Sequence, residues 1–408
     1  MSDLQKAWAK AKLSALEPFD EGAERRELEE AADSLGELPE PMDDDSSSAS
    51  SASSTGTVIP SPSQRLFARP QAVDRSKNMG QIPWTAYFER ELFLKDPSSS
   101  ITHHAYLNSP SGKSPLFVFH HGAGSSGLSF AVVSSEIRKH VPSAGMLSAD
   151  ARGHGSTTDS SGADPDLSLD TLTADLLFVI RGAQERMHWA ELPPLVLVGH
   201  SLGGAVVTNL AKQGLLGNAV LGFAVLDVVE GSAMDALQSM ITYLSTRPAG
   251  FPTLEAGIDW HVRSRTVRNL VSARTSVPAL LVEEGAGEGA GNGGAAVDRR
   301  RWKWRTDLAA TQKFWEGWFV GLSKKFLEAR GGKLLLLAGT DRLDTELTIG
   351  QMQGKYALQV FPEAGHFIHE DLPEKTAMML VDFYRRNDRS QLVLPPKVSD
   401  LLRQGKKV

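Results

Sequence analysis

Short apolar runs alternate with stretches of helical periodicity over most of the chain, from about residue 83 onward. Each run is followed by a turn rich in Gly, Asp or His, as is typical of buried strands in a parallel sheet. The runs predict strands over residues 115–119, 145–149, 195–198, 222–226, 333–338 and 357–361. With the helical stretches between them, they predict an α/β fold with a mostly parallel central sheet flanked by helices.

A long insertion interrupts this alternation between the fourth and fifth predicted strands. We expect a helical cap insertion over residues 234–330, with a flexible Gly-rich linker at 283–296. Helix is predicted again over 306–326, where aromatic and apolar side chains form one stripe: Phe314, Trp315, Trp318, Phe319, Leu322 and Phe326. Core packing explains such a stripe better than an exposed partner surface does.

The two ends of the chain differ in composition from the part between them. The first 45 residues contain 14 Asp and Glu against five Lys and Arg, and a Ser-rich run follows. Such a composition cannot bury enough apolar surface to fold. We therefore predict a disordered N-terminal tail over residues 1–64, one α/β domain over 65–390 and a C-terminal tail over 391–408.

Charge and composition exclude several classes of protein. The net charge of −6 belongs to the N-terminal tail, so the domain lacks the strongly basic balance of a nucleic-acid-binding protein. The absence of cysteine excludes disulfides, thiolate metal sites and cysteine nucleophiles. No apolar run approaches the roughly 20 residues that a membrane span needs. We expect a cytoplasmic monomer without a nucleic-acid or membrane partner.

The stretch 299–305 mixes basic and aromatic residues. A solvated helix start or a partner-docking strip explains it better than a nucleic-acid site, and as a nuclear-import signal it is weak.

The most informative motif follows the third predicted strand, where residues 199–203 read Gly-His-Ser-Leu-Gly. This sequence fits the G-x-S-x-G nucleophile elbow, a sharp strand-to-helix turn that exposes its serine. The strained turn leaves no room for side chains two residues before and after the serine, which explains Gly199 and Gly203. The motif predicts that Ser201 is a nucleophile in an α/β-hydrolase fold.

A serine hydroxyl needs a base within hydrogen-bond reach and a carboxylate that orients the base. Three histidines follow Ser201 in the chain. We expect His366 to be the base because it follows a strand in a glycine-containing loop. His261 lies in the predicted cap, where a structural role is expected, and a structural hydrogen bond is expected for His369.

Two aspartates could orient the base. Asp227 follows one predicted strand and Asp341 follows the next, and either position can reach the histidine in this architecture. The fold alone slightly favours Asp341, and the residues leave both alternatives open.

The oxyanion of a tetrahedral intermediate needs preorganised backbone N–H donors. We expect these from Leu202, directly after the nucleophile, and from Ala123 in the glycine-rich loop 121–124. His154 lies in the turn 150–155, where loop packing explains it better than a ligand role. No zinc-protease helix, P-loop or paired-carboxylate motif is present, so no metal or cofactor is expected.

Several longer stretches resemble those of one family, the protein phosphatase methylesterases. Beside the elbow, the matching stretches are 226–240, 268–274, 314–323, 333–344 and 348–354. Asp-Val-Val-Glu-Gly at 227–231 and Ile-Gly-Gln-Met-Gln-Gly at 349–354 are far more specific than the elbow. The resemblance extends over roughly residues 80 to 385.

The resemblance implies a serine esterase that removes the methyl ester from the C-terminal leucine of the type 2A phosphatase catalytic subunit. It also implies that the catalytic acid is Asp227, against the slight preference for Asp341 above. Two alternatives stay open: a broad small-molecule carboxylesterase, and a mainly non-catalytic regulator that binds the phosphatase. The triad is either preformed or held apart by the cap until the phosphatase binds.

Overall fold

The chain folds around a central sheet, and the structure, a computed structural model, describes residues 79–284, 301–339, 343–388 and 390. The predicted disordered tail (1–64), most of the predicted linker (283–296) and the predicted C-terminal tail (391–408) lie outside the described residues. The described residues belong to one unit, Asp74–Val408.

All six predicted strands are present, each within two residues of its predicted bounds. In chain order the strands are β1 (Arg90–Lys95), β2 (Ile101–Asn108), β3 (Leu116–His120), β4 (Gly145–Asp150), β5 (Thr158–Asp159), β6 (Leu195–His200), β7 (Val220–Leu226), β8 (Gly250–Phe251), β9 (Leu281–Glu283), β10 (Trp302–Trp304), β11 (Gly332–Leu337) and β12 (Ala357–Val360). Among the described residues, β8–β10 form a small separate sheet.

The central sheet has the order β1-β2-β4-β3-β6-β7-β11-β12, with β5 paired to β2. From β4 to β12 every neighbouring pair is parallel, which confirms the mostly parallel sheet. The antiparallel strands β1 and β2 at one edge were not predicted. The carboxyl ends of β3, β6, β7, β11 and β12 therefore lie along one edge, where sites form in parallel sheets.

Helices cover both faces of this sheet. They are α1 (Ala131–His140), α2 (Leu169–Arg186), α3 (Leu202–Gln213), α4 (Glu230–Thr246), α5 (Leu254–Arg263), α6 (Leu270–Leu280), α7 (Gln312–Phe319), α8 (Leu322–Glu328), α9 (Thr345–Met352), α10 (Ile368–Asp371) and α11 (Pro373–Asn387). Successive strand residues point to opposite faces. Thus Val118 packs with α2 and α3, whereas Phe117 and Phe119 pack with α1 and α11. No helix in the described ranges is long and apolar enough to cross a membrane.

The cap is not wholly helical, because a small sheet lies among its helices. Strand β10 pairs antiparallel with both β8 and β9, and Trp302 lies opposite Phe251 and Glu283. The expectation of a solvated helix start near 299–305 is therefore wrong. Trp302 and Trp304 occupy alternate strand positions, and both pack against an apolar cluster of the cap itself.

The second helical part of the cap begins later than predicted. Helix α7 begins at Gln312 rather than near residue 306, and the chain breaks before α8 at Gly321, which has φ 73°. Val320, with ψ 122°, ends α7, and the left-handed φ of Gly321 keeps it apart from α8 because a regular helix requires a negative φ. The predicted aromatic stripe is confirmed as core packing, since all its residues except the partly buried Phe314 are buried.

A buried ion pair braces two loops at the carboxyl edge of the sheet. Asp150 accepts hydrogen bonds from the N–H groups of Gly127 (2.7 Å) and Ser156 (2.8 Å), and His104 Nδ1 donates to it over 2.7 Å. Burial works to lower the pKa of His104, but its hydrogen bonds and charge interactions with Asp150 and Glu91 raise that pKa overall. The pair therefore favours a protonated histidine inside the fold.

Replacing His104 with glutamine is expected to destabilise the protein most in mildly acidic solution. A pKa raised in the folded state stabilises the protein fully below the ordinary value of 6.5, and this stabilisation is lost as pH rises through the folded-state pKa. Removing one partner of a buried pair costs about 3–5 kcal/mol. In urea unfolding, the difference in free energy of unfolding between wild type and His104→Gln should be largest near pH 5.5 and smaller near pH 9.

The exposed His140 provides the control for that comparison. His140→Gln should unfold like the wild type at every pH. A gap for His104→Gln that is constant, or that grows with pH, would show that His104 is not protonated in the fold.

Candidate active site

Ser201 lies between β6 and α3, at the turn that the sequence predicted as a nucleophile elbow. Its backbone has φ 52° and ψ −120°, a conformation that side-chain-bearing residues rarely adopt. Its N–H donates to the carbonyl of Leu226 at the end of the neighbouring strand, over 3.0 Å. The elbow is thus tied to β7, the strand that leads into Asp227.

The steric reason for the two elbow glycines is confirmed. A Cβ on Gly199 would lie 2.0 Å from the carbonyl oxygen of Gly203. A Cβ on Gly203 would lie 2.0 Å from the carbonyl oxygen of His120, at the end of β3. Real contacts of this kind do not occur, so the strand, the turn and the loop after β3 can meet only where both side chains are absent.

His366 and Asp227 form a hydrogen-bonded pair beside the elbow. His366 Nδ1 lies 2.8 Å from Asp227 Oδ2, and the N–H of Ala338 donates to Asp227 Oδ1 over 2.9 Å. The Asp227 side chain is fully buried, whereas 46% of the His366 side chain is exposed. Because Nδ1 donates to the carboxylate, Nε2 is left as the proton-accepting nitrogen of the neutral ring.

Of the two aspartates considered from the sequence, Asp227 is the one placed against His366. Asp341, which the fold alone slightly favoured, lies outside the described residues. Asp227 also has a positive φ of 52°. Both Ser201 and Asp227 therefore adopt left-handed backbone conformations at the ends of adjacent strands.

His366 lies beside the elbow, with its ring centroid 4.6 Å from that of His200, but it makes no direct bond to Ser201. Among the described residues, the structure contains no hydrogen bond within 3.5 Å between the Ser201 hydroxyl and the His366 ring. Catalytic hydrogen bonds are often long in a substrate-free enzyme and tighten in the complex. The hydrogen bond that is formed here joins the His366 ring to the Asp227 carboxylate.

The loop after β3 lies against the serine, as expected for an oxyanion loop. A Cβ on Gly122 would lie 3.1 Å from Ser201 Cβ. The N–H of Gly124 donates to His154 Nε2 over 2.9 Å, and that of Ser125 donates to the carbonyl of Gly122. Within the described part of the chain, the N–H groups of Ala123 and Leu202 have no such acceptor, so both are available to an oxyanion.

His154 fixes the shape of this loop, in agreement with its predicted packing role. Its Nε2 accepts from Gly124 and its Nδ1 donates to the carbonyl of Arg152 over 2.9 Å. Burial lowers its pKa, so the ring stays neutral and keeps both bonds. The cap touches the same loop, because a Cβ on Gly124 would lie 2.7 Å from Leu308 Cδ1.

His200, the residue before the nucleophile, has a role that the sequence analysis missed. Its Nε2 donates to the backbone carbonyl of His366 over 2.8 Å, and burial lowers its pKa to about 3. A neutral His200 thus ties the elbow to the loop of the base. No local sequence signal distinguishes this histidine, since its partner is distant in the chain.

The expectation for His369 is wrong. Both of its ring nitrogens lack a hydrogen-bond partner among the described residues, although the side chain is buried. The ring instead stacks on Phe130, with centroids 4.3 Å apart, and lies 4.7 Å from the ring of His200. His261 is buried in the cap, where its Nδ1 donates to the carbonyl of Gly257.

The arrangement is suited to acyl transfer by a serine, since it combines a serine on a strained turn, a histidine paired with a carboxylate and two unpaired N–H groups. Within the described ranges, no group of three or more His, Asp or Glu side chains could hold a metal ion.

Comparison with known proteins gives matches over most of the chain. A model of the alpha/beta hydrolase family matches residues 117–378. Protein phosphatase methylesterase 1 of Gibberella zeae is 68% identical over 413 residues, covering all of both chains. The protein of that name from Neurospora crassa is 64% identical over 459 residues, again covering all of both. The one from Schizosaccharomyces pombe is 44% identical, covering 77% of this chain and 87% of its own.

Among solved structures, E-2-(acetamidomethylene)succinate hydrolase superposes with a TM-score of 0.53. It covers 72% of this chain and 98% of its own, at 18% sequence identity. At that identity the likeness shows the fold alone, and it confirms the predicted α/β-hydrolase architecture with helices on both faces of the sheet.

Replacing Asp227 with asparagine is expected to abolish nearly all turnover of a p-nitrophenyl ester. The amide cannot stabilise a positively charged His366 ring, and comparable changes in serine hydrolases cost about 10⁴-fold in kcat. Asp341→Asn should keep most of the activity. Steady-state kinetics of both variants decide between the two aspartates, and the reverse pattern would assign the acid to Asp341.

Proposed function

The chain belongs to the protein phosphatase methylesterases of the α/β-hydrolase fold, and we propose that it acts on the methyl ester of the C-terminal leucine of the type 2A phosphatase catalytic subunit. The hydrogen bond of His366 with the buried Asp227, beside a serine on a strained elbow, is the observation that best supports this chemistry. The names of the relatives support the class of substrate.

In the proposed acylation step, Ser201 Oγ bonds to the ester carbonyl carbon while His366 Nε2 takes the hydroxyl proton. Asp227 stabilises the positive ring through Nδ1. The N–H groups of Ala123 and Leu202 donate to the oxyanion, and loss of one such donor costs about 10²–10³-fold in rate. The bond between the carbonyl carbon and the methoxy oxygen then breaks, and His366 gives its proton to that oxygen so that methanol leaves.

In the proposed deacylation step, a water molecule attacks the leucyl ester on Ser201. His366 removes a proton from that water and delivers one to Ser201 Oγ as the bond between serine and substrate breaks. The free carboxylate of the leucine is the second product. No group outside the described site is needed to balance either step.

A C-terminal leucine offers little surface, so we propose that specificity depends on contact with the folded phosphatase. Helix α9 contains part of the family-specific stretch 348–354 and leaves apolar side chains in solvent. Ile349 is 49% exposed and Met352 is 81% exposed. This helix follows the carboxyl end of β11, the edge to which Asp227 and His366 belong.

Two other functions were considered from the sequence. A broad carboxylesterase would use the same triad without a protein docking surface. A non-catalytic regulator would have no need of the unfavourable backbone at Ser201 or of the buried carboxylate at Asp227. Strain of this kind persists where it serves a site, which favours an active enzyme.

Methanol release from methylated phosphatase should be rapid with the wild-type enzyme and absent with Ser201→Ala. The same preparations are assayed with a p-nitrophenyl ester, because a triad of either specificity should hydrolyse it. Turnover of the generic ester with no release from the protein ester would identify a broad carboxylesterase. Retention of methanol release by Ser201→Ala would exclude the proposed mechanism.

A charge introduced on α9 should weaken action on the protein substrate alone. Met352→Asp is expected to lower kcat/KM for methylated phosphatase by about tenfold or more, since loss of a central interface side chain costs about 2 kcal/mol or more, and to leave generic ester turnover unchanged. Met378→Asp on α11, another exposed methionine, is the matched control. Equal effects of the two changes would argue against docking at α9.

A further inference from the structure

We propose that Arg268 and Asp371 are positioning residues that hold His366 in place through the backbone of Gly365. The inference rests on the proposed role of His366 as the base. Arg268 belongs to the cap, between α5 and α6, and Asp371 is the last residue of α10. Together they connect the cap to the loop 361–367, which contains His366.

Packing alone does not fix the His366 ring, because nearly half of the side chain is exposed. Asp227 holds Nδ1, and His200 donates to the backbone carbonyl of His366. On the other side of His366, the N–H of Gly365 donates to Asp371 Oδ2 over 2.7 Å. The backbone is therefore held both before and after the base.

The Asp371 carboxylate links two segments that are distant in the chain. Its side chain is 1% exposed, and its Oδ1 accepts from the backbone N–H of Arg268 over 2.8 Å. Burial raises the pKa of Asp371, whereas the two N–H bonds and the Arg268 charge act in the opposite direction. A carboxylate so deeply buried needs hydrogen-bond donors. Here one donor belongs to the cap and the other to the loop that contains His366.

The Arg268 side chain contacts the same loop at a second point. Its Nε lies 3.6 Å from Asp371 Oδ2, and its Nη1 donates to the carbonyl of Glu363. A Cβ on Gly365 would lie 3.1 Å from Asp371 Oδ2 and 3.4 Å from Arg268 Nε. The guanidinium and the carboxylate therefore lie directly against the backbone that precedes His366.

A link that only attached the cap to the rest of the domain would not need these contacts. Ser272 and Ser276 of α6 already donate to the carbonyl and to the carboxylate of Glu370, next to Asp371. Those bonds join α6 to α10 without touching the loop 361–367. The Arg268–Asp371 pair differs because both of its members also contact that loop, which is why we assign it to the position of His366.

The test compares Arg268→Ala with Arg274→Ala. Arg274 is in the same cap stretch, and its Nε donates to the backbone carbonyl of Gly80, away from the loop, whereas Arg268 donates to the carbonyl of Glu363 from Nη1. Turnover of p-nitrophenyl acetate and the rate of Ser201 labelling by a fluorophosphonate report alignment of the base without any phosphatase. They therefore remain valid even if the phosphatase ester is not the substrate.

Arg268→Ala is expected to lower kcat on the generic ester, and the labelling rate, by about 10- to 100-fold, the effect of misplacing a catalytic group by about 1 Å. KM should change far less, and Arg268→Lys should recover part of the loss. Arg274→Ala should stay within about twofold of wild type. Asp371→Asn should lose at least as much as Arg268→Ala, because an amide N–H₂ replaces an accepting oxygen.

Equal losses in Arg268→Ala and Arg274→Ala would overturn the proposal, as would an Arg268→Ala enzyme that keeps wild-type kcat on the generic ester. If Asp371→Asn does not fold, the two arginine variants decide, because both side chains are partly exposed and both backbones keep their N–H groups.

Discussion

The hydrogen bond between His366 and Asp227 joins the ends of two strands that are separated in the sheet by β11. Asp227 is buried without solvent, so its charge requires both the imidazole and the N–H of Ala338. That N–H directly follows β11, which runs parallel between β7 and β12. The order and direction of the strands thus determine where a base and its carboxylate can meet.

The elbow at Ser201 is joined to the same edge by close backbone packing. Gly203 lies against the carbonyl of His120, and Ser201 donates its N–H to Leu226, so β3, β6 and β7 meet around one turn. The loop after β3 is therefore packed directly against the elbow. The cap contacts this edge at two points. Leu308 lies against Gly124, and Arg268 binds the loop that contains His366. A change in the cap can consequently reach both halves of the site.

Local patterns in the sequence were sufficient for the features that depend on local physics. Apolar runs located the six parallel strands, and the steric demand of a sharp turn identified Gly199, Ser201 and Gly203. Features that depend on contacts between distant residues were not found. The sheet β8–β10 needs three separated segments, and the bond from His200 to His366 joins two loops. The choice between Asp227 and Asp341 likewise needed more than spacing, because each follows a strand. His369 was given a hydrogen bond since buried polar groups usually have one, but stacking on Phe130 surrounds its ring instead.

The central claim is that Ser201 attacks the acyl carbon of a protein methyl ester. The most direct test follows oxygen atoms from water into the two products. Methylated phosphatase is treated with the enzyme in water labelled with ¹⁸O, and both products are analysed by mass spectrometry. Cleavage through an acyl-enzyme on Ser201 puts one ¹⁸O into the leucine carboxylate and none into methanol, and Ser201→Ala releases neither product. Detection of ¹⁸O in the methanol would contradict the claim, as would release of methanol by Ser201→Ala.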